Sequence, residues 1–320
     1  MYRQNTNSIM QDMKFEKFKA KAVLDFVVIR AFLNRPTNGW TLKRYMNVLE
    51  ADSGHYAKPV NANAGGGATV FDIYIQNPQR YSDIVNTLEL FERQTSRQEN
   101  QIIKPYEVSR MEISLDIYPK QWTEESPSEL AEITLGFTEW IELPAGKDRV
   151  IYGMPLGNEF ILGRDRALKR ISDGYMLRVG DHRSNHFQRA YLKTTDARDP
   201  QKKVFVQLPT TQHRARFENN FSGPAVPART LEQLQLFQFQ TLSQYFSFRA
   251  PIIETSQLTG LDRHIRETLA FGIGAKGPRP SPTPSGRTIT KMHCRTTKSA
   301  AELNEKARQA LKNLTSRWNS

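Results

Sequence analysis

Arg110-Met111-Glu112-Ile113-Ser114-Leu115-Asp116-Ile117 alternates polar and apolar residues without a break. In an extended chain, successive side chains face opposite sides. Met111, Ile113, Leu115 and Ile117 therefore face a core, while Arg110, Glu112, Ser114 and Asp116 share the other face. Such a strand fits an antiparallel sheet that is apolar on one side. Glu112 and Asp116 stand four rises apart, about 13–14 Å. They line one groove, and meet on one small ion only if the strand curves or other groups help. Oxygen ligands of this kind suit Mg2+ or Mn2+.

The neighbouring segments supply partners for this strand. Residues 23–33 are rich in β-branched and aromatic side chains and read as a strand, after a loose arm at 1–20. A short helix is expected at 41–49, a flexible Asn/Ala/Gly turn at 61–67 and a strand at 68–75. Residues 81–93 have helical periodicity, with Ile84, Leu88, Leu90 and Phe91 turned inward. Further helices are expected at 126–141 and 158–172, and strands at 175–180, 186–194 and 203–221. Thr230 with Gln233 three residues on has the spacing of a capping box. It opens a long helix whose apolar side is Leu231, Leu234, Phe237, Leu242, Tyr245 and Phe246, ended by Ala250-Pro251. The fold class is α+β: antiparallel sheet covered by helices, in a region 21–255 whose halves, about 21–122 and 123–255, repeat one style. Residues 256–290 read as a linker, and 291–320 as a disordered basic tail with a short helix at about 300–314.

The chain has 320 residues, enough for two modest domains or one large one. Forty-five Lys+Arg against 33 Asp+Glu give a net charge of +12, which points to a polyanionic partner, most often nucleic acid. From Lys276 onward ten basic residues oppose only Glu302 and Glu305, so the tail is expected to grip phosphates through Lys291, Arg295 and Lys298. Cys294 is the single cysteine, which excludes an internal disulfide and a thiolate zinc site. With a polar, charged N-terminus and no long apolar run, a cytoplasmic protein without a membrane partner is expected.

Two further segments carry chemistry. In His213-Arg214-Ala215-Arg216-Phe217-Glu218, the side chains of Arg214, Arg216 and Glu218 share one strand face. Glu218 would complete an acidic metal site if this strand lies near the first, and the arginines suit phosphate. Downstream of Arg183-Ser184, residues Arg189, Tyr191 and Lys193 alternate along one face. A phenol, with a pKa near 10, is a poor nucleophile as it stands, and flanking cations favour its ionised form. A tyrosine joined to a DNA phosphate preserves the bond energy for later resealing. Tyr118-Pro119-Lys120 is a second Tyr-x-Lys, but it lacks an upstream Arg-Ser. No His-x-His pair exists, His182 and His186 do not converge, and Gly65-Gly66-Gly67 lacks the Lys-Ser/Thr of a phosphate loop.

The order Arg-x-Glu-x-x-x-Asp, Gly-x-x-Arg-Ser, Arg-x-Tyr-x-Lys, Arg-x-Glu resembles the rolling-circle replication initiation factors of small plasmids and filamentous phages. The resemblance spans roughly residues 20–250. It implies a site-specific, metal-dependent endonuclease and strand transferase that nicks one strand at an origin. A 5′-phosphotyrosyl link would form, with a free 3′-OH left for a polymerase. By position Tyr191 matches the family nucleophile, beside Arg189 and Lys193. Glu112 and Asp116 match the acidic strand and Glu218 the Arg-x-Glu strand, for Mg2+ or Mn2+. Arg110, Arg183, Ser184, Arg214 and Arg216 would contact DNA. Leu192 departs from the family, which shows Asn or Asp between the Tyr and the Lys. Origin DNA, a host helicase and polymerase, and a second copy in a homodimer are the implied partners. A relaxase of plasmid transfer shares the chemistry, and a non-enzymatic origin- or operator-binding protein would have the same charge. An RNA-binding module fits less well, because the outward faces carry charges more than aromatics.

Overall fold

The structure, a computed structural model, describes residues 14–39, 42, 54–97, 99–140, 169, 171–179, 183–199, 204–251 and 297–320. The elements are β1 (Phe18–Asn38), β2 (Tyr56–Pro59), β3 (Gly67–Gln76), α1 (Tyr81–Ser96), β4 (Glu107–Pro119), α2 (Ser126–Trp140), β5 (Leu177–Val179) and β6 (His186–Lys193). They continue with β7 (Thr195–Asp199), β8 (Val204–Gln207), β9 (Arg214–Ser222), α3 (Leu231–Gln235), β10 (Arg249–Pro251), β11 (Thr297–Ser299) and α4 (Ala301–Trp318). Seven strands form one sheet in the order β2-β3-β1-β4-β9-β6-β5, every neighbouring pair antiparallel. Two two-stranded ribbons, β7-β8 and β10-β11, stand beside it. This is the expected α+β architecture.

Residues on both sides of position 122 build the same sheet, since β4 pairs with β9 all along Arg110–Ile117. One face is apolar. Val27, Ile29 and Ala31 of β1, Ile73 and Ile75 of β3, Met111, Ile113, Leu115 and Ile117 of β4, and Phe217 and Phe221 of β9 are all buried there. α2 packs on β6 and β9, and α4 packs on β1 and on the 3-10 segment Phe239–Phe246. In α1 the buried positions are Ile84, Thr87, Leu88, Phe91, Gln94 and Thr95, while Leu90 is only half-buried.

The structure departs from the sequence reading in four elements. β1 begins at Phe18, five residues early, and runs for 21 residues because it pairs with β4 along its first half and with β3 along its second. The strand expected at 203–221 is two strands, parted by Pro209 and the 3-10 turn Thr210–Gln212. The long helix from Thr230 is five residues of α3 followed by the 3-10 segment. Its cap holds: Thr230 accepts a hydrogen bond from Gln233 N, and Gln233 Oε1 accepts one from Arg229 N. The ladder then stops because distant groups take over its backbone. Trp318 Nε1 donates to Leu234 O at 2.9 Å, and Phe239 N donates to Thr315 Oγ1 at 2.9 Å.

Those two donor-acceptor pairs also correct the reading of the tail. Its end, α4, is a full helix that buries Leu303, Ala307, Ala310, Leu311, Leu314 and Trp318. Trp318 meets Phe239 and Tyr81 edge-on, and Arg317 Nη2 donates to Ala22 O. An apolar stripe at helical spacing outweighs the basic residues, of which Arg308 and Lys312 are exposed. The arm at 1–13, the greater part of the helix expected at 41–49, most of that at 158–172, the linker at 256–290, and Lys291 and Arg295 lie outside the described residues.

The docked helix gives the first prediction. Trp318→Ala should destabilise the protein by about 3–5 kcal/mol, the range for deleting a fully buried aromatic side chain. Urea unfolding measures it. A loss below about 1 kcal/mol would mean that α4 is not part of the core.

Candidate active site

The polar face of the sheet carries the chemistry, and strand register sets its layout. Ser114 of β4 stands opposite Glu218 of β9, which stands opposite Arg189 of β6. The adjacent rows are Glu112, Asn220 and Phe187 on one side, and Asp116, Arg216 and Tyr191 on the other. Lys193 faces Arg214 one step further on. β1 adds a residue from the other flank. Its pairing with β4 slips between Leu24 and Phe26, so a β-bulge falls at Asp25. A bulge re-aims the extra side chain, and Asp25 joins the polar face beside Ser114, whose hydroxyl donates to it.

Oxygens of Asp25, Glu112 and Glu218 all lie within 4.8 Å of one another, so these three carboxylates could hold a metal ion. Asp116, expected as the third ligand, is used elsewhere. Arg216 grips it with two bonds, Nε to Oδ1 at 2.6 Å and Nη2 to Oδ2 at 2.7 Å, and Arg214 Nε lies 3.1 Å away. Arg216 Nη1 also reaches both oxygens of Asp25, at 3.1 and 3.0 Å. Arg214 and Arg216 are buried, Arg216 held by these bonds and Arg214 by its ion pair with Asp116 and by a bond from Nη1 to Gln212 O. Asp25 carried a readable signal, as the lone charge in the apolar run 22–29. The bulge that aims it did not.

Around the three carboxylates the polar groups are tightly paired. Arg189 Nη2 is 2.6 Å from both Glu112 Oε2 and Glu218 Oε2. Asn220 Nδ2 donates to Glu112 Oε2 at 2.6 Å, and Arg110 Nε donates to Asn220 Oδ1 at 3.0 Å. The Arg110 guanidinium lies over the ring of Phe26. Tyr191 Oη donates to Glu218 Oε1 at 2.6 Å. Lys193, expected to flank the phenol as a free cation, pairs with Asp196 at 3.0 Å. Arg183 is exposed, and Ser184 Oγ donates to His186 O just before β6. Lys298 lies on β11.

Burial raises the proton affinity of Glu112, Glu218 and Tyr191. It pushes the Glu218 carboxyl up to about 7, and the charge of Glu112 adds to the shift while Arg189 opposes it. Burial also raises Glu112, against the pull of Arg189. Tyr191 is raised above the usual phenol range by burial and then by the charge of Glu218. The flanking cations do not offset this, contrary to the sequence expectation. Tyr118, the second Tyr-x-Lys, is pushed up to about 12 by burial and by Asp116. His186 stacks on Phe221, and its Nε2 bonds Asn219 Oδ1 on the apolar side of β6, which is a structural role.

No protein-family model matches the chain, and no curated protein matches it. Among solved structures, a rolling circle replication initiator protein from Geobacillus stearothermophilus is similar over 74% of this chain and 90% of its own, at 12% identity and a TM-score of 0.31. Among the described residues, no helix is long and apolar enough to cross a membrane.

Glu218 makes stability depend on pH. Its folded-state pKa, about 7, lies above the ordinary 4.5, so the folded chain holds a proton there that the unfolded chain has lost. The stabilisation is complete below pH 4.5 and is lost as pH rises through about 7. In metal-free buffer the parent should therefore lose stability relative to Glu218→Gln between pH 5 and 7.5, by up to roughly 2–3 kcal/mol. Parallel unfolding curves at each pH test this. An unchanged difference would show that Glu218 is ionised throughout.

Proposed function

We propose that the protein is a metal-dependent DNA-nicking enzyme that starts rolling-circle replication by cutting one origin strand with Tyr191. The observation that carries this reading is the 2.6 Å hydrogen bond from the Tyr191 phenol to Glu218, a member of the three-carboxylate cluster. Nucleophile and proton acceptor are thus in contact, as nucleophilic catalysis requires. The order of motifs in the sequence supports the same reading.

The residues fit a hard divalent cation. Asp25, Glu112 and Glu218 offer only oxygens, spaced closely enough to share one ion, the donor set that suits Mg2+ or Mn2+. Such a cation supplies positive charge to a phosphate on which negative charge develops. The remaining chemistry belongs to the chain. The Tyr191 oxygen bonds to phosphorus, and its proton passes to Glu218. The bond from phosphorus to the 3′ oxygen of the preceding nucleotide breaks, and that oxygen takes a proton from water and becomes the free 3′-OH. The 5′ phosphate stays on Tyr191.

In this reading Arg110, Arg183 and Ser184 contact DNA, with Lys291, Arg295 and Lys298 as further phosphate contacts. Origin DNA, a host helicase, a polymerase and a second copy of the chain are the partners this role calls for, in the cytoplasm. One feature favours the rival reading of a DNA-binding protein that does not cut: burial and the charge of Glu218 make the Tyr191 phenolate harder to form than an ordinary one.

The two readings separate on Tyr191→Phe. This variant should bind origin DNA nearly as well as the parent, because phosphate contacts dominate affinity. It should form no covalent protein–DNA adduct on a denaturing gel, whereas Tyr118→Phe should keep the adduct. Asp25→Asn should raise the Mn2+ concentration needed for nicking by about 10–100-fold. An adduct that persists in Tyr191→Phe would remove Tyr191 from the mechanism, and no adduct in any form, parent included, would leave the non-cutting reading.

A further inference from the structure

A single nitrogen, Arg189 Nη2, bridges Glu112 Oε2 and Glu218 Oε2 at 2.6 Å each. These are two of the three carboxylates that converge within 4.8 Å. A cation shared by Glu112 and Glu218 would sit among the carboxylate oxygens that Arg189 now bridges. Two positive groups a few ångströms apart in a buried site repel strongly, so the guanidinium and the ion exclude each other.

The two arginines at the cluster are held differently. Arg216 uses Nε, Nη1 and Nη2 on Asp116 and Asp25 and is almost fully buried. Arg189 reaches its carboxylates through Nη2, its buried Nε has no hydrogen-bond partner, and its side chain is 25% exposed. Its guanidinium also lies 5.9 Å from the ring centre of Phe187, on the same strand. Of the two, Arg189 is the one that can leave, and it has an open side to leave towards.

We propose that Arg189 and a divalent cation are alternative occupants of the space between Glu112 and Glu218. In the metal-free protein Arg189 is a positioning residue that keeps the carboxylates together against their mutual repulsion. When the cation binds, Arg189 gives up that place and turns outward, where its fork suits a DNA phosphate. This rests on the reading of Asp25, Glu112 and Glu218 as metal ligands.

The probe is Mn2+ alone, titrated at pH 8 into the full chain without DNA, with the free ion followed by electron paramagnetic resonance. Arg189→Gln should bind Mn2+ at least about tenfold more tightly than the parent, as expected when a unit charge beside the ion is removed. Arg189→Lys, which keeps the charge, should stay within about threefold of the parent. Equal or weaker binding by Arg189→Gln overturns the proposal and leaves the metal site standing. Absence of Mn2+ binding in parent and variants alike overturns both. If Arg189→Gln does not fold, the parent alone decides by nuclear magnetic resonance. The Arg189 guanidinium protons, assigned against Arg189→Lys, should exchange with water faster once Mg2+ saturates the site. Unchanged exchange shows that Arg189 stays in place.

Discussion

The grip of Arg216 on two aspartates organises the polar face of the sheet. Charges on a covered face are costly unless each is paired, and this face buries Glu112, Asp116, Glu218, Arg214 and Arg216 together. Arg216 closes a two-bond fork on Asp116 and reaches on to Asp25. Asp116 is thereby committed to the scaffold. Asp25 is drawn towards the row that contains Ser114 and Glu218, leaving three carboxylates to converge. Truncating Arg216 would take their main partner from the buried Asp116 and the half-buried Asp25, so the residue is as much a structural keystone as a charge near a site.

The opposite face gives this arrangement a rigid floor. α4 closes over β1 and the 3-10 segment, and Trp318 and Thr315 bond backbone groups of residues 234 and 239. The end of the described chain therefore finishes a core begun at Phe18. β1 carries both the apolar surface that α4 covers and the bulge that delivers Asp25. Packing on one side and site geometry on the other meet in a single strand, so loosening α4 reaches the carboxylates through β1.

The sequence showed the sheet clearly, because strict alternation in 110–117 admits one reading and both faces formed as it implied. It also put Glu112, Glu218, Arg189 and Tyr191 on polar strand faces, which adjacency of β4, β9 and β6 then brings together. Three things were not legible. A bulge depends on pairing between distant strands, so Asp25 could not be aimed from its own neighbourhood. The break after Gln235 depends on acceptors and donors about 80 residues away. The helix expected at about 300–314 is present at 301–318, but its docking on the core was missed because net charge was given more weight than period. Asp116 was misassigned because alternation tells which face a side chain occupies, not which partner it finds there.

The Tyr191 phenol is poorly served by the cations beside it in sequence. Arg189 is spent on Glu112 and Glu218, and Lys193 on Asp196. Burial and the Glu218 charge then raise Tyr191 above an ordinary phenol. A strand carrying Arg-x-Tyr-x-Lys is therefore not an activated tyrosine by virtue of its flanks. The group that holds the phenol back is also its hydrogen-bond acceptor, since the Glu218 charge opposes phenolate formation and Glu218 Oε1 lies 2.6 Å from the hydroxyl. In the proposed reaction, activation would come from neutralising the Glu112–Glu218 pair by something other than Arg189, because the guanidinium that bridges these carboxylates occupies the space between them.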